Sequence, residues 1–121
     1  MLSSGTLRLV ALLAVLRHPD PPAVLVVEEL ENGLAPRTIA VVLEAIRTAV
    51  DEQRTQVIVT THSPHLLNLG LLEHIVFVGR NAKGEPEFRR PADDADLRRW
   101  AKRFDPGELY TINEFKVSFQ T

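Results

Sequence analysis

The chain has 121 residues, of which 45% are hydrophobic and 25% are charged, a composition typical of one small globular domain with a real core. The net charge of −2 excludes a strong overall field toward nucleic acid or anionic membranes, and the absence of cysteine excludes disulfides and thiolate metal sites. No apolar run is long enough to span a membrane, so we expect one domain over residues 1–121 in a reducing, cytoplasmic setting.

Two apolar segments lie near the N-terminus. Residues 7–16 are rich in leucine and alanine, which predicts a helix capped by Ser3 or Ser4. This helix is apolar on nearly every side, so we expect other elements to cover it. Val24–Val27 is a short, β-branched run without alternation. Such a run predicts a strand buried on both faces, as in a parallel sheet.

Two carboxylates, Glu28 and Glu29, directly follow this strand. Charges do not belong on a strand buried on both faces, so both should lie just past its carboxyl end, where ligands bind in open α/β sheets. A carboxylate pair there suits a metal ion and the orientation of a water molecule. The alternative is that they are ordinary loop acids, since one strand ending in two glutamates is a weak motif.

The next segment continues as helix and strand. Asn32 and Gly33 mark a turn, Pro36 suits the first turn of a helix, and apolar residues then repeat at helical spacing to about residue 53. Residues 56–61 form a second β-type run. Strand, helix and strand together predict a βαβ unit with parallel strands and a right-handed crossover.

The second half of the chain carries weaker signals. Residues 63–70 predict a short capped helix, residues 75–78 a third strand, residues 87–90 an antiparallel edge strand, and residues 93–104 a helix that a Pro-Gly pair breaks. Residues 108–121 indicate packing but no particular element. The fold class is therefore α/β, with a mainly parallel sheet flanked by helices.

Three loops are expected to meet at one edge of the sheet: residues 3–5 at a helix N-terminus, the pair Glu28 and Glu29, and His62 after the second strand. A helix N-terminus preceded by Ser-Ser-Gly offers backbone N–H groups, hydroxyls and partial positive charge, which suits phosphate. The alternatives are a plain N-cap for residues 3–5 and a histidine bonded to a backbone carbonyl for His62.

In this order the motifs resemble those of ABC-type ATPases. Residues 2–6 (Leu-Ser-Ser-Gly-Thr) resemble the signature loop, residues 24–29 the Walker B strand, residues 31–36 the D-loop, and residues 60–64 (Thr-Thr-His-Ser-Pro) the switch-histidine loop. The sequences of these motifs most resemble those of SMC-like and RecF-like ATPases and of bacterial AAA ATPases of the overcoming-lysogenisation-defect type. The resemblance covers about residues 1–80 and implies a partial P-loop NTPase fold.

The resemblance implies a role for each matching residue at the strand ends. Glu28 would hold Mg²⁺ through water, Glu29 would be the general base that polarises the attacking water, and His62 would contact the γ-phosphate of ATP. Two positions depart from the family pattern. Leu30 stands where proline is usual, and Ala35 stands where His or Asp is usual, which weakens the contacts expected of the D-loop.

The resemblance also implies a partner. Ser3, Ser4 and Gly5 would reach across a head-to-head dimer to the nucleotide of a like subunit, and Asn32 and Gly33 would line the dimer seam. A DNA link is implied by the family resemblance alone, and no membrane partner is implied.

An ATPase of this class needs a glycine-rich loop ending in Gly-Lys-Ser/Thr, the Walker A motif. The one Gly-x₄-Gly in the chain runs from Gly79 to Gly84 and is followed by Glu85 instead of lysine, so we reject it. We therefore expect the C-terminal half of an ATPase head, inactive without the missing segment and dependent on a chain that supplies it. We also expect self-association through a bare strand edge or the apolar first helix.

Two other functions stay open. One is a non-enzymatic, split or degenerate ATPase module that pairs with a partner chain; the other is a metal-dependent nuclease that uses Glu28, Glu29 and Glu31. A late basic cluster could contact nucleic acid, but the polar face of an amphipathic helix explains it better, because no aromatic platform interleaves with the cations. The cluster comprises Arg89, Arg90, Arg98, Arg99, Lys102 and Arg103.

Overall fold

The computed structural model describes residues 3–119, with side chains described for residues 3–112, so Leu2 of the predicted signature loop lies outside the described residues. The chain divides into two compact units, Met1–His62 and Ser63–Thr121, and the prediction of one domain over residues 1–121 stays a prediction. The elements in chain order are α1 (Ser4–Leu16), β1 (Val24–Val27), α2 (Pro36–Asp51), β2 (Gln56–Val59), α3 (Pro64–Asn68), a 3-10 turn (Leu72–His74), β3 (Phe77–Arg80), β4 (Pro86–Arg89), α4 (Ala95–Trp100) and α5 (Pro106–Phe119).

The first unit contains the predicted βαβ arrangement. β1 and β2 pair in parallel, with Val24 opposite Gln56 and Val27 opposite Val59, and α2 connects them. Pro36 occupies the first turn of α2, where its missing N–H costs no hydrogen bond. The apolar stripe of α2 is buried and forms the core of the unit with Leu16, Val27 and Leu30; the stripe comprises Ile39, Val42, Ile46 and Ala49. The α/β fold class with a small parallel sheet is confirmed.

The prediction that the first strand is buried on both faces is wrong for the described chain. Val27 is 5% exposed, but Val24 and Val26 are 49% and 57% exposed, and Ile58 on the neighbouring strand is 49% exposed. Buried and exposed positions alternate because one face of this two-stranded sheet is covered and the other faces solvent. An apolar run without alternation indicates that its side chains avoid water, but it does not identify the segment that covers them.

The prediction that other elements cover α1 is also wrong. α1 packs on α2, but Leu16 is its one buried residue, and Leu7 and Val10 are each 54% exposed. One neighbouring helix covers only one side of α1. The predicted N-cap is confirmed, because the Ser3 hydroxyl accepts a hydrogen bond from the backbone N–H of Thr6.

The second unit has its own sheet. β3 pairs antiparallel with β4, as predicted for the edge strand, but β3 begins at Phe77 and not at Ile75. Ile75 follows the 3-10 turn and is buried, so its apolar character reflects the core and not the strand. Within the described strands, β3 joins β4 and not the parallel pair.

The C-terminal segment folds as a helix that the sequence pattern did not predict. Pro106 begins α5, at the position where a helix tolerates proline. Gly107 allows α5 to approach α3, because a Cβ built there would clash with the carbonyl of Pro64, and its N–H donates to the Asn68 side chain at 2.7 Å. Leu109 of α5 is buried with Ile75, Phe77 and Leu97 in the core of this unit. The part of α5 beyond residue 112 has no described side chains.

Candidate functional site

The backbone of Glu29 adopts an unusual conformation at the carboxyl end of β1. Its φ of 46° lies in the left-handed region, which non-glycine residues rarely occupy and which costs on the order of 1–3 kcal/mol. The end of β2 holds it there, because the Glu29 N–H donates to the Thr60 hydroxyl at 2.9 Å and the Leu30 N–H donates to the Thr60 carbonyl at 3.3 Å. Leu30 is fully buried and anchors the loop in the core.

The side chain of Glu29 is held by Asn32 of the same chain. The Asn32 amide donates to Glu29 Oε2 at 2.5 Å, and the backbone N–H of Asn32 donates to the Glu29 carbonyl at 2.9 Å. Glu28 and Glu29 are both exposed, as predicted for residues past the end of the strand. Glu29 therefore presents an oriented carboxylate to solvent at the edge where the sequence predicted a site.

Glu31 joins the loop after β1 to the loop after β2. Its Oε2 accepts from the Thr61 hydroxyl at 2.8 Å, and its Oε1 accepts from the backbone N–H of His62 at 3.0 Å. Burial raises the pKa of the Glu31 carboxyl, but the hydrogen bonds from His62, its own backbone and Thr61, with the His62 charge, outweigh this, so the pKa is lowered overall. The predicted switch-histidine loop is thus attached to the predicted D-loop.

The two glycines of the predicted site lie against each other. A Cβ built on Gly5 would clash with the carbonyl oxygen of Gly33, so the first turn of α1 touches the loop after β1 through bare backbone. Gly33 has a φ of 73°, which glycine adopts without strain. Ser3 caps α1 and Ser4 begins it, and both are exposed. The structure thus brings residues 3–5 beside the loop that carries Glu28 and Glu29.

Arg8 is a site residue that the motif comparison missed. Its guanidinium donates to the backbone carbonyls of Glu28 at 2.5 Å, Glu29 at 3.0 Å and Asn32 at 2.8 Å. The sequence did hold a signal, because Arg8 is the one charged residue in the otherwise apolar and small-residue helix α1. A lone cation in such a helix indicates a specific partner.

Among residues with described side chains, no three His, Asp or Glu side chains come close enough to enclose a metal ion by themselves. This arrangement still suits Mg²⁺, which keeps several waters and is commonly bound through one or two carboxylates together with substrate phosphates. Glu28 is an exposed carboxylate at the strand end that fits this donor set. The orientation of the Glu31 carboxylate is set by the loop after β2, since both of its oxygens accept hydrogen bonds from that loop.

The family model described as "AAA domain, putative AbiEii toxin, Type IV TA system" matches residues 1–68, more than half of the chain. The chain belongs to this AAA family. The predicted membership of the P-loop ATPase-like class is confirmed at this level, and with it nucleotide binding as the general class of function. All predicted site residues lie within the matched segment. No curated protein matches the chain.

Most of the second unit lies beyond the AAA match, and it contains the basic cluster. Trp100 and Phe104, which pack against the core of this unit, line a surface cavity of about 420 Å³ together with Arg99 and Arg103, and their ring centroids are 5.8 Å apart. The interpretation of the cluster as the polar face of a helix stays a prediction.

Acidic side chains neutralise part of the cluster. Arg89 pairs with Asp94 at 2.6 Å, and Arg99 pairs with Asp96 at 3.1 Å. The Arg89 side-chain hydrogen bond and the backbone N–H of Leu97 lower the pKa of the Asp94 carboxyl.

In the part of the chain that the structure describes, no helix is both long and apolar enough to cross a membrane.

Proposed function

We propose that this AAA-family chain binds Mg-ATP and forms the hydrolytic portion of an ATPase head, in which Glu29 activates the attacking water. The observation that carries the proposal is the conformation of Glu29. Thr60 holds the backbone of Glu29 in the left-handed region, and Asn32 orients its carboxylate. Glu29 lies at the strand end where ligands bind in α/β sheets. Strain of this kind concentrates at functional sites.

Each carboxylate oxygen of Glu29 has a separate role in this proposal. Mg-ATP supplies the phosphoryl group, and the metal ion neutralises the charge on it. Asn32 engages Oε2, which leaves Oε1 to orient the water and accept its proton. Glu28 holds Mg²⁺ through water, and His62, whose backbone is fixed by Glu31, contacts the γ-phosphate. These residues therefore position the nucleotide and polarise the attacking water, as phosphoryl transfer requires.

The phosphate-binding loop comes from outside these 121 residues in our proposal, either from the same polypeptide or from another chain. The exposed sheet face at Val24, Val26 and Ile58 supports this, because a parallel sheet is ordinarily covered on both faces. The contact between Gly5 and Gly33 supports a shared seam with a like subunit, since it joins the two segments that the resemblance assigns to that seam.

The test is a calorimetric titration with Mg-ATP of this chain alone and of the chain combined with a segment that carries the phosphate loop. We expect binding and hydrolysis only in the combined form. Glu29→Gln should retain binding and lose at least about 10²-fold in kcat, a loss typical of general-base removal. The matched control is Glu87→Gln, an exposed glutamate of β4.

Other outcomes favour the alternatives. Binding without hydrolysis by the wild-type combination would favour a non-enzymatic module. The nuclease hypothesis has less support, because no three His, Asp or Glu side chains among the described residues come close enough to enclose a metal ion. Divalent-dependent DNA cleavage that disappears in Glu29→Gln would restore it.

A second candidate is contact with single-stranded nucleic acid through the second unit. The cavity between Arg99, Trp100, Arg103 and Phe104 combines cations with aromatic rings, the combination that binds bases and phosphates together. Trp100 is the single tryptophan of the chain, so its emission reports directly on this cavity. An oligonucleotide should quench it, salt should reverse the quenching, and Arg103→Glu should abolish it.

The control for that experiment is Lys83→Glu, which makes the same charge change at the turn between β3 and β4. Equal loss of quenching in both variants would indicate that net charge, and not this cavity, governs the contact. No quenching in the wild type would contradict nucleic-acid binding at the cavity.

A further inference from the structure

Arg8 binds three backbone carbonyls of the loop after β1 through its guanidinium group. The three carbonyls that it contacts belong to Glu28, Glu29 and Asn32, so its hydrogen bonds span both ends of the turn that carries the left-handed residue. The arginine is partly buried at the first turns of α1. The planar guanidinium group has several N–H donors in a fixed arrangement, so it can donate to three neighbouring carbonyls at once. A lysine ammonium on a flexible side chain cannot reproduce this arrangement.

The loop is also attached to β2 and to α1. Thr60 holds the Glu29 N–H from β2, and the contact between Gly5 and Gly33 holds the far end of the loop against α1. Between these two points the Glu28 carbonyl accepts a hydrogen bond from Arg8, and the Glu29 carbonyl accepts from both Arg8 and the Asn32 N–H. Because hydrogen bonds from a charged donor are stronger than those from a neutral one, loss of the guanidinium would loosen the backbone path of this turn.

We propose that Arg8 is a positioning residue that fixes the backbone of Glu29 and thereby ties the placement of its carboxylate to the first turn of α1. This inference rests on the proposed role of Glu29 in ATP hydrolysis. A movement of residues 3–5, for example when a like subunit docks there, would be transmitted through Arg8 to the acidic loop. Arg8 itself touches neither water nor nucleotide in this proposal.

The test compares Arg8→Lys and Arg8→Gln with Arg17→Gln. Arg17 lies at the other end of α1 and makes no side-chain hydrogen bond in the described chain, so Arg17→Gln removes the same charge without touching the loop. Two properties are measured: amide hydrogen exchange of Asn32 by NMR in the 121-residue chain, and kcat and KM of the combined ATPase.

We expect Arg8→Lys and Arg8→Gln to exchange the Asn32 amide at least about tenfold faster, since its bond to the Glu29 carbonyl depends on the turn. The Ile46 amide in α2 should be unaffected. In the ATPase, kcat should fall about 10- to 100-fold with KM within about twofold, because a misplaced base slows chemistry and not binding. Arg17→Gln should match the wild type in both measurements.

Three results would overturn the proposal: Arg8→Lys that behaves as wild type, kcat that falls without a change at Asn32, or faster exchange of Ile46 together with Asn32. The third result would mean that Arg8 stabilises the whole unit and not the loop. If the wild-type combination hydrolyses no ATP, the role of Glu29 fails, and faster exchange of Asn32 alone still establishes that Arg8 holds the loop.

Discussion

Glu29 is held by three side chains that lie far apart in the sequence: Arg8 on α1, Asn32 in the same loop, and Thr60 after β2. The pair of acids could be predicted, because a charged residue directly after an apolar run marks a strand end. The left-handed backbone could not be predicted, since it is imposed by residues from other segments. A non-glycine residue in this region signals that the surroundings outweigh local preference.

Replacement of Glu29 by glycine should stabilise the chain and abolish hydrolysis. Glycine adopts a positive φ freely, so Glu29→Gly should raise the free energy of unfolding by up to about 1 kcal/mol. Glu28→Gly is the control, because the φ of Glu28 is not positive, and there the added chain entropy should lower stability by about 0.5–1 kcal/mol. Urea unfolding measures both, and equal destabilisation by the two changes would contradict strain at Glu29.

The lowered pKa of Glu31 predicts a loss of stability in acid. Because the folded pKa lies below the ordinary value of 4.5, the unfolded chain binds protons more readily than the folded chain. The contribution of Glu31 is therefore complete above the unfolded pKa and is lost as the pH falls through the folded pKa. Glu31→Gln should flatten the dependence of unfolding free energy on pH below about 4.5, which urea unfolding at several pH values measures. An unchanged dependence would contradict the role of these hydrogen bonds.

At the scale of elements, local sequence signals predicted most helices and strands, but not their burial. Proline and serine marked the starts of α2 and α3, and helical spacing marked the core face of α2. The exposed faces of α1 and of the parallel sheet were missed, because a periodic pattern does not identify the covering segment. α5 was missed because Pro106 and Gly107 were interpreted as breakers, although proline also begins helices and Gly107 permits close packing on α3.

The contact between α1 and the loop after β1 predicts opposite effects of one substitution at two glycines. Alanine favours a helix by about 1 kcal/mol over glycine, but a Cβ at Gly5 would clash with backbone, and overpacking costs about 1–3 kcal/mol. Gly5→Ala should therefore lower the free energy of unfolding. Gly79→Ala in β3, where the added methyl meets open space, should be neutral or slightly stabilising. If Gly5→Ala raised the free energy of unfolding, the backbone at the contact between Gly5 and Gly33 would have shifted to accept the methyl group at little cost.

At the scale of the whole molecule, the AAA match covers the first unit and the start of the second, so the family and the candidate site belong to the same segment. The first unit also carries the exposed apolar side chains that a complete parallel sheet would bury. Family, fold class and site position could thus be predicted from contiguous motifs. The roles of Arg8 and Glu31 could not, because they depend on contacts across twenty or more residues.

Self-association through a bare strand edge or the apolar first helix stays a prediction, and the exposed sheet face adds a third surface that would favour it. Val24, Val26 and Ile58 are each about half exposed and adjacent. Light scattering at tens of micromolar, a range in which exposed apolar surface commonly associates, should give a mass above that of one chain. Val26→Lys should return a monomer, and Val78→Lys on β3, where Val78 is 63% exposed, should not. A monomeric wild type would contradict the expectation.

The hydrogen bonds that the Glu29 loop donates to Thr60 and that His62 donates to Glu31 have a thermodynamic consequence for ligand binding. Both loops are ordered when the chain folds, so a nucleotide that docks there meets preformed geometry and loses little conformational entropy on binding. Affinity would then depend weakly on loop flexibility and strongly on the phosphate-binding segment. Binding enthalpies of the combined form, measured at several temperatures, should then show only a small heat-capacity change, because no loop has to fold on binding.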